Sequence, residues 1–245
     1  MTTWIVGDIH GCAEEFGRLL DQLALGKDDH LVSCGDLFHR GPDPAGVMDL
    51  LREAQTHFIL GNHERMVLQR MGLAPLRADS ADRPPLREHF PQLSFEDLDG
   101  DGRRPCHVAP ERRRELLVFL QQHSGYYLRQ EDLIGARPTI DGRPWIVVHA
   151  GVHPKKRLEQ QTPFDLTRIR HLGRRRKSWW FERYAGEALV LYGHSHASLP
   201  QARRVRGRLV TLGLDTGCVY GGALSAYAPE LDEFVRIPAA KSYAA

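Results

Sequence analysis

The sequence predicts an α/β layered fold, a two-sheet β-sandwich flanked by helices, with a site at the carboxyl ends of its strands. Three observations predict it. Short apolar, β-rich runs each end in a glycine-bounded block of polar residues, helical spacings fill the gaps between the first three runs, and the last third reads as consecutive strands. Trp4-Ile5-Val6 opens the series and leads into GDIHG (7–11). Phe16, Leu19, Leu20 and Leu23 then repeat at helical spacing. His30-Leu31-Val32-Ser33 leads into GDLFHRGPD (35–43), and Val47, Leu50 and Leu51 mark a second helix. Phe58-Ile59-Leu60 runs into LGNHE (60–64). Runs this short and this continuously apolar suit strands buried on both faces.

The rhythm breaks from about 72 to 143. Residues 75–110 are rich in proline, arginine and aspartate and read as irregular, whereas Leu116, Leu117 and Leu120 mark an amphipathic helix over 111–123. A connection of this length forms a lid, a cap or a mobile loop. It reads as an insert, mostly irregular and helical, in a single domain spanning 1–245. Strands return with Trp145-Ile146-Val147-Val148, which enters VHAG (148–151), and Leu189-Val190-Leu191-Tyr192, which enters YGHSH (192–196). Leu209 to Leu212, Leu224 to Tyr227 and Phe234 to Ile237 follow as consecutive strands.

Composition narrows the partners. Apolar content of 42% and charged content of 26% are ordinary for a soluble globular protein. A net charge of +2 excludes binding of polyanions by whole-molecule charge, local arginine clusters apart. No apolar stretch reaches the length of a membrane span, and no signal peptide precedes Trp4, so no membrane partner is expected. Cys12, Cys34, Cys106 and Cys218 are single and widely spaced, which favours reduced thiols and a cytoplasmic location.

The five blocks supply Asp8, His10, Asp36, Asn62, His149, His194 and His196. These are oxygen and imidazole ligands without a thiolate. Two carboxylates, one amide and four imidazoles are too many for one ordinary ion. They fit two divalent metal ions if one carboxylate bridges, and such two-metal sites serve phosphoryl chemistry. The donor set suits Mn, with Fe or Zn as alternatives. Any one block alone would read as turn and capping residues. Five in series point to a metal centre.

The order and wording of the blocks resemble the calcineurin-like metallophosphoesterases. GDxxxRG and GNHE resemble the PPP-type phosphoprotein phosphatase branch, together with its bacterial diadenosine-tetraphosphatase relatives. The likeness runs from Gly7 to about Tyr227 and is dense only at the blocks. It implies the calcineurin-like phosphoesterase fold. It also implies that Asp8 and His10 hold the first metal, that Asp36 bridges, and that Asn62, His149 and His194 hold the second. A hydroxide between the metals would attack phosphorus, Arg40 would clamp phosphate oxygens, and His63 would protonate the leaving oxygen. Arg170, in Thr167-Arg168-Ile169-Arg170, resembles a second phosphate-binding arginine. Asp215 to Gly222 (DTGCVYGG) resembles a stretch of the same relatives in which Tyr220 would contact substrate, and a plain hairpin turn is its simpler reading.

Two departures from the PPP pattern bear on chemistry. Those enzymes end the last block GH[TS], whereas Gly193-His194-Ser195-His196 adds a histidine. His196 is therefore expected to complete the first metal's shell, a solvated histidine being the plainer alternative. His39 stands where the protein phosphatases carry the aspartate that orients the general acid; the diadenosine-tetraphosphatase relatives also lack that aspartate, so His39 and DTGCVYGG speak for their substrates rather than for dedicated protein phosphatase activity. The first expectation is a dinuclear phosphatase acting on phosphomonoesters, phosphoserine and phosphothreonine included. The alternative substrates are dinucleoside polyphosphates, split symmetrically, or nucleotide-capped RNA ends, and nucleic acid enters only as such a capped substrate. A metal-bearing nucleic-acid-binding module without activity would require a broken site, yet every ligand position is filled.

Three other features weigh less. Asp97 to Gly102 copies the first half of a calcium loop but has Val108 where the bidentate glutamate belongs. Cys12 and Cys34 read as buried packing residues. Arg174 to Lys177 followed by Trp179-Trp180-Phe181 reads as a solvated basic turn leading into core aromatics, with nucleotide binding as the alternative.

Overall fold

The computed structural model describes residues 1–70, 108–122, 125–173 and 178–244. The elements, in chain order, are β1 (Thr3–Val6), α1 (Ala13–Leu23), β2 (His30–Ser33), α2 (Pro44–Glu53), β3 (His57–Phe58), α3 (Asn62–Arg70), α4 (Pro110–Gln122), β4 (Tyr127–Arg129), β5 (Trp145–Val148), α5 (Pro163–Arg168), β6 (His171–Leu172), β7 (Ser178–Trp179), α6 (Trp180–Arg183), β8 (Leu189–Tyr192), β9 (Gln201–Val205), β10 (Arg208–Gly213), β11 (Ala223–Ala228) and β12 (Glu233–Pro238). They build two five-stranded sheets, ordered β12-β11-β1-β2-β3 and β4-β5-β8-β10-β9, and a small β6–β7 ribbon. Each large sheet has a parallel centre: β1, β2 and β3 in the first, and β5, β8 and β10 in the second. Antiparallel strands complete every edge but one, where β3 itself is the outer strand of the first sheet.

Side-chain alternation explains why the central strands read as continuous apolar runs. In β1, Ile5 faces the inter-sheet core with Val32, Trp145, Val147, Leu189 and Leu191. Its neighbours Trp4 and Val6 face the opposite way, against Phe16 and Leu19 of α1, Val47, Met48 and Leu51 of α2, and Leu116 and Leu120 of α4. The second sheet repeats the device, with Val148 and Val190 packing outward on Leu166 and Trp180. Both faces of each central strand are therefore covered, as parallel sheets require.

The expected helices at Phe16–Leu23 and Val47–Leu51 are present, and the one expected over 111–123 is described as Pro110–Gln122. β3 is only two residues long, because the chain leaves the sheet at Ile59 to enter the third block. Inside the stretch read as an irregular insert, Tyr127–Arg129 pairs antiparallel with β5 and closes that edge of the second sheet. The calcium-like run 97–102, the basic run 174–177 and Cys106 lie outside the described residues. No helix among the described residues is long and apolar enough to cross a membrane.

A candidate two-metal centre at the strand ends

All five blocks emerge from carboxyl ends of the parallel strands. GDIHG follows β1, GDLFHRGPD follows β2, LGNHE follows β3, VHAG follows β5 and YGHSH follows β8. Because β1–β3 and β5–β8 run parallel within their sheets, these ends converge on one rim of the sandwich. The backbone there is bent hard. His10, Asp36, Arg40 and His194 adopt positive φ (49°, 51°, 76° and 64°), a region that non-glycine residues enter at a cost of about 1–3 kcal/mol each. Hydrogen bonds hold the bends: His10 N–H donates to the Asp36 carbonyl, and Gly11 N–H to that of Leu37.

Two ligand groups share one carboxylate. Asp8, His10 and Asp36 form the first, and Asp36, His149 and His194 form the second, with ligand atoms inside each group within 4.8 Å of one another. His10 Nε2 lies 3.9 Å from Asp8 Oδ2 and 3.8 Å from Asp36 Oδ2. His149 Nε2 lies 3.4 Å from Asp36 Oδ2 and 3.0 Å from Asn62 Oδ1. Asn62 thus joins the second group.

The residues fit divalent cations on three counts. First, His149 Nδ1 sits 2.9 Å from the Cys34 carbonyl, so its proton is committed there. Nε2 then faces two further acceptors, Asn62 Oδ1 and Asp36 Oδ2, and only a second proton or a cation can satisfy all three. Second, negative charge is concentrated and buried. Burial, together with the charges of Asp215 and Asp36, holds the Asp8 carboxyl well above its ordinary range. Burial would raise Asp36 too, but the neighbouring His149 and His63 hold it well below. Third, two glycines leave room for the carboxylates. A Cβ on Gly61 would stand 2.0 Å from Asp36 Oδ1, and one on Gly193 would stand 1.8 Å from Asp8 Oδ1.

His10 and His194 suit the role as neutral donors, whereas Asp36 and the Cys34 carbonyl hold His149 above its ordinary value against burial. Burial pushes His194 down to about 2, reinforced by His149, and burial likewise lowers His10 well below its ordinary value. His10 Nδ1 is buried without a hydrogen-bond partner among the described residues, while Arg40 Nη1 donates to its Nε2 at 3.1 Å. Asp8 is fixed by the His194 backbone N–H, at 3.2 and 3.0 Å to its two oxygens.

A cavity of about 450 Å³ opens over the centre. Its lining includes Asp8, His10, Asp36, Asn62 and His194 on the floor, and Arg40, His63, Arg170, His196 and Tyr220 around them. His149 lies behind that lining, fully buried. His63 is buried, its Nε2 3.9 Å from Asp36 Oδ2 and its backbone N–H donating to Asp36 Oδ1. Its ring lies 4.7 Å from that of His39, which is also buried. Arg170 Nη2 donates to the His194 carbonyl at 3.0 Å, which brings the loosely matched TRIR arginine to the rim. Tyr220 sits in the tight turn of residues 217–222, closed by Gly222 N–H to the Gly217 carbonyl, and its side chain lines the cavity. His196 is not in either ligand group. It is exposed, with its ring 5.0 Å from Tyr220.

Sequence reasoning missed three residues of this site. Glu64 is fully buried and accepts from the backbone N–H groups of Asp36, Leu37 and Gly61 at 2.9, 2.9 and 3.0 Å, tying the second block to the third. Burial and Asp36 push its carboxyl up to about 7, against the hydrogen bonds from Leu37 and Asp36 and the nearby His149. Its signal was the final letter of GNHE. Asp215, the first letter of DTGC, is buried on the cavity wall. Trp179 lines the cavity, whereas its neighbour Trp180 is fully buried, so the aromatic run divides between site and core.

A family model described as calcineurin-like phosphoesterase matches residues 1–207. The serine/threonine-protein phosphatase 1 of Salmonella typhimurium is 47% identical over 229 residues, covering 91% of this chain and 89% of that one. The bis(5'-nucleosyl)-tetraphosphatase PrpE (asymmetrical) of Geobacillus thermodenitrificans is 29% identical over 244 residues, covering 91% and 88%. Among solved structures, that of a candidate diadenosine tetraphosphatase superposes with a TM-score of 0.70 at 24% identity, covering 96% of this chain and 92% of that one, which shows a shared fold.

Proposed function

The chain belongs to the calcineurin-like phosphoesterases, metal-dependent hydrolases of phosphoesters, and on that footing we propose that it is a dinuclear phosphatase whose first substrates are phosphomonoesters, phosphoserine and phosphothreonine among them. One observation carries the reading: two ligand groups meet at Asp36 beneath a cavity rimmed by two arginines. In this reading Asp8, His10 and Asp36 hold one divalent ion, and Asp36, Asn62, His149 and His194 hold the other. Mn is the first choice of metal, with Fe or Zn as alternatives. The pair supplies Lewis-acid charge and lowers the pKa of water.

The chain's own residues do the rest. Arg40 and Arg170 present planar forks of donors to the phosphate oxygens. His63 delivers a proton to the leaving oxygen, and its backbone bond to Asp36 Oδ1 keeps it in register with the ligand group. Glu64 holds the Asp36 turn against the Gly61 turn, and so positions the shared carboxylate. His196 and Tyr220 form a ring pair at the rim, where they meet the part of the substrate beyond the phosphate.

The Salmonella relative, named a serine/threonine-protein phosphatase, supports the phosphoprotein reading. A second reading, hydrolysis of dinucleoside polyphosphates, is favoured by His39, which puts an imidazole rather than a carboxylate beside His63, and by the tetraphosphatase name of the Geobacillus relative. Capped RNA has no counterpart in these relatives' names and forms no part of the reading. The test offers the metal-loaded protein a phosphoserine peptide, p-nitrophenyl phosphate and diadenosine tetraphosphate side by side, with products identified. Release of inorganic phosphate from the two monoesters is the expected outcome. Cleavage of diadenosine tetraphosphate alone would replace the first reading with the second.

A further inference from the structure

Behind the catalytic cavity, a second kind of donor set is sealed in the core. Cys12 follows the first block and caps α1, Glu15 lies in the first turn of that helix, and Cys218 lies in the DTGC hairpin. All three are buried, at 0%, 0% and 2% exposure, and one ligand atom from each lies within 4.8 Å of the others. Cys12 and Cys218 belong to the apolar cluster under α1, so this is a dry surrounding.

Glu15 does not suit such a place as a mere packing residue. Its Oε1 accepts from Ala240 N–H and from the Tyr243 hydroxyl, each at 2.9 Å. Its Oε2 is buried with no hydrogen-bond partner among the described residues. A buried carboxylate oxygen left unpaired is costly, and proteins meet that cost with a proton, a cationic side chain or a metal ion. The two sulfur atoms beside it choose among these, because thiolates favour soft, thiophilic ions over the hard ions that oxygen and imidazole ligands take. The spacing suits one ion. With Zn–S bonds of about 2.3 Å, two thiolates on a tetrahedral zinc stand about 3.8 Å apart, so a group already within reach needs only a small contraction.

We propose that Cys12, Glu15 and Cys218 form a third cation site, taking a thiolate-preferring divalent ion of the zinc type, which ties the start of α1 to the 215–222 hairpin behind the catalytic cavity. Three protein donors leave one position of a tetrahedral ion to water. Binding displaces the two thiol protons. The ion staples three separate segments: the His10 turn through Cys12, the Asp215–Tyr220 hairpin through Cys218, and the C-terminal segment through Glu15, whose Oε1 holds Ala240 and Tyr243. It is distinct from the two-metal centre, whose donors include no sulfur.

The test uses the full chain stripped of metal and titrated with Co2+, then with Zn2+. Three equivalents are expected, one of them giving the thiolate-to-cobalt charge-transfer absorption that an oxygen and imidazole site cannot give. Zn2+ at the third equivalent should raise the thermal midpoint. Cys218→Ala should abolish the absorption and leave two equivalents. Glu15→Gln keeps the thiols and the two hydrogen bonds while removing the charge, and should weaken the third equivalent by more than the ~10–100-fold typical of second-shell changes. A folded wild-type protein that saturates at two equivalents without thiolate absorption overturns the proposal, as does an absorption that survives Cys218→Ala.

Discussion

Gly61→Ala isolates the shared carboxylate without touching a ligand. Gly61 is not among the residues with positive φ, so alanine meets no conformational barrier there. What it meets is Asp36: the new Cβ would stand 2.0 Å from Oδ1, 2.4 Å from the backbone nitrogen and 2.8 Å from Cγ. Real Cβ contacts essentially never fall under 3.0 Å, so the Oδ1 contact alone demands a shift of at least 3.0 − 2.0 = 1.0 Å. Rotating the side chain does not relieve it, because the backbone nitrogen is also too close and is pinned by Glu64 at 2.9 Å. Overpacking of this kind costs about 1–3 kcal/mol, which a domain of ordinary stability (about 5–15 kcal/mol) survives. A displacement of that size at reacting groups costs about 10²-fold in rate. The expected variant is folded, binds metal weakly and turns over p-nitrophenyl phosphate about 10²-fold more slowly. Metal analysis, circular dichroism and steady-state kinetics read the three quantities. Gly17→Ala is the control. Its Cβ meets only Leu50 Cδ1, at 3.8 Å, and replacing an interior helix glycine should stabilise by about 0.5–1 kcal/mol. Two metals bound at wild-type affinity with undiminished turnover in Gly61→Ala would refute the assignment of Asp36 as the shared ligand.

Three further outcomes are expected. His63→Asn should slow hydrolysis of a phosphoserine peptide by about 10²–10⁴-fold but that of p-nitrophenyl phosphate far less, since a phenolate leaves without a proton; equal losses on both substrates would remove His63 as the general acid. His196→Ala should raise KM through loss of the ring contact with Tyr220 and leave metal stoichiometry unchanged, whereas loss of one metal equivalent would return His196 to the first metal's shell. Asp43→Ala deletes the side chain that accepts from Gly46 N–H at 2.8 Å and caps α2, and should lower unfolding free energy by about 0.5–2 kcal/mol in a denaturant titration; no change would mean that Pro44 alone starts that helix.

The candidate ligand blocks stand out in the sequence because each is a local event: a short buried strand, a glycine and a polar residue at the turn. Parallel strand order then brings Asp8, His10, Asp36, Asn62, His149 and His194 together, and α/β layering alone was enough to expect that convergence. Glu64 was not legible as a positioning residue, since its partners are backbone N–H groups at 36, 37 and 61, and a backbone donor leaves no letter in the sequence. β4 escaped for a related reason. Three half-buried residues, Tyr127 to Arg129, carry almost no period, and their strand character comes from pairing with β5.

His196 shows the limit from the other side. Two residues apart in an extended segment, His194 and His196 would share a face. However, His194 has φ of 64°, and Ser195 N–H turns back to the Gly193 carbonyl at 2.7 Å, so the segment is a tight bend rather than a strand. The bend aims His194 at Asp36 and His149 and leaves His196 against Tyr220. The spacing of the two histidines was plain in the sequence. What it meant depended on one backbone angle, at a residue whose N–H bonds Asp8, 186 positions away in the chain.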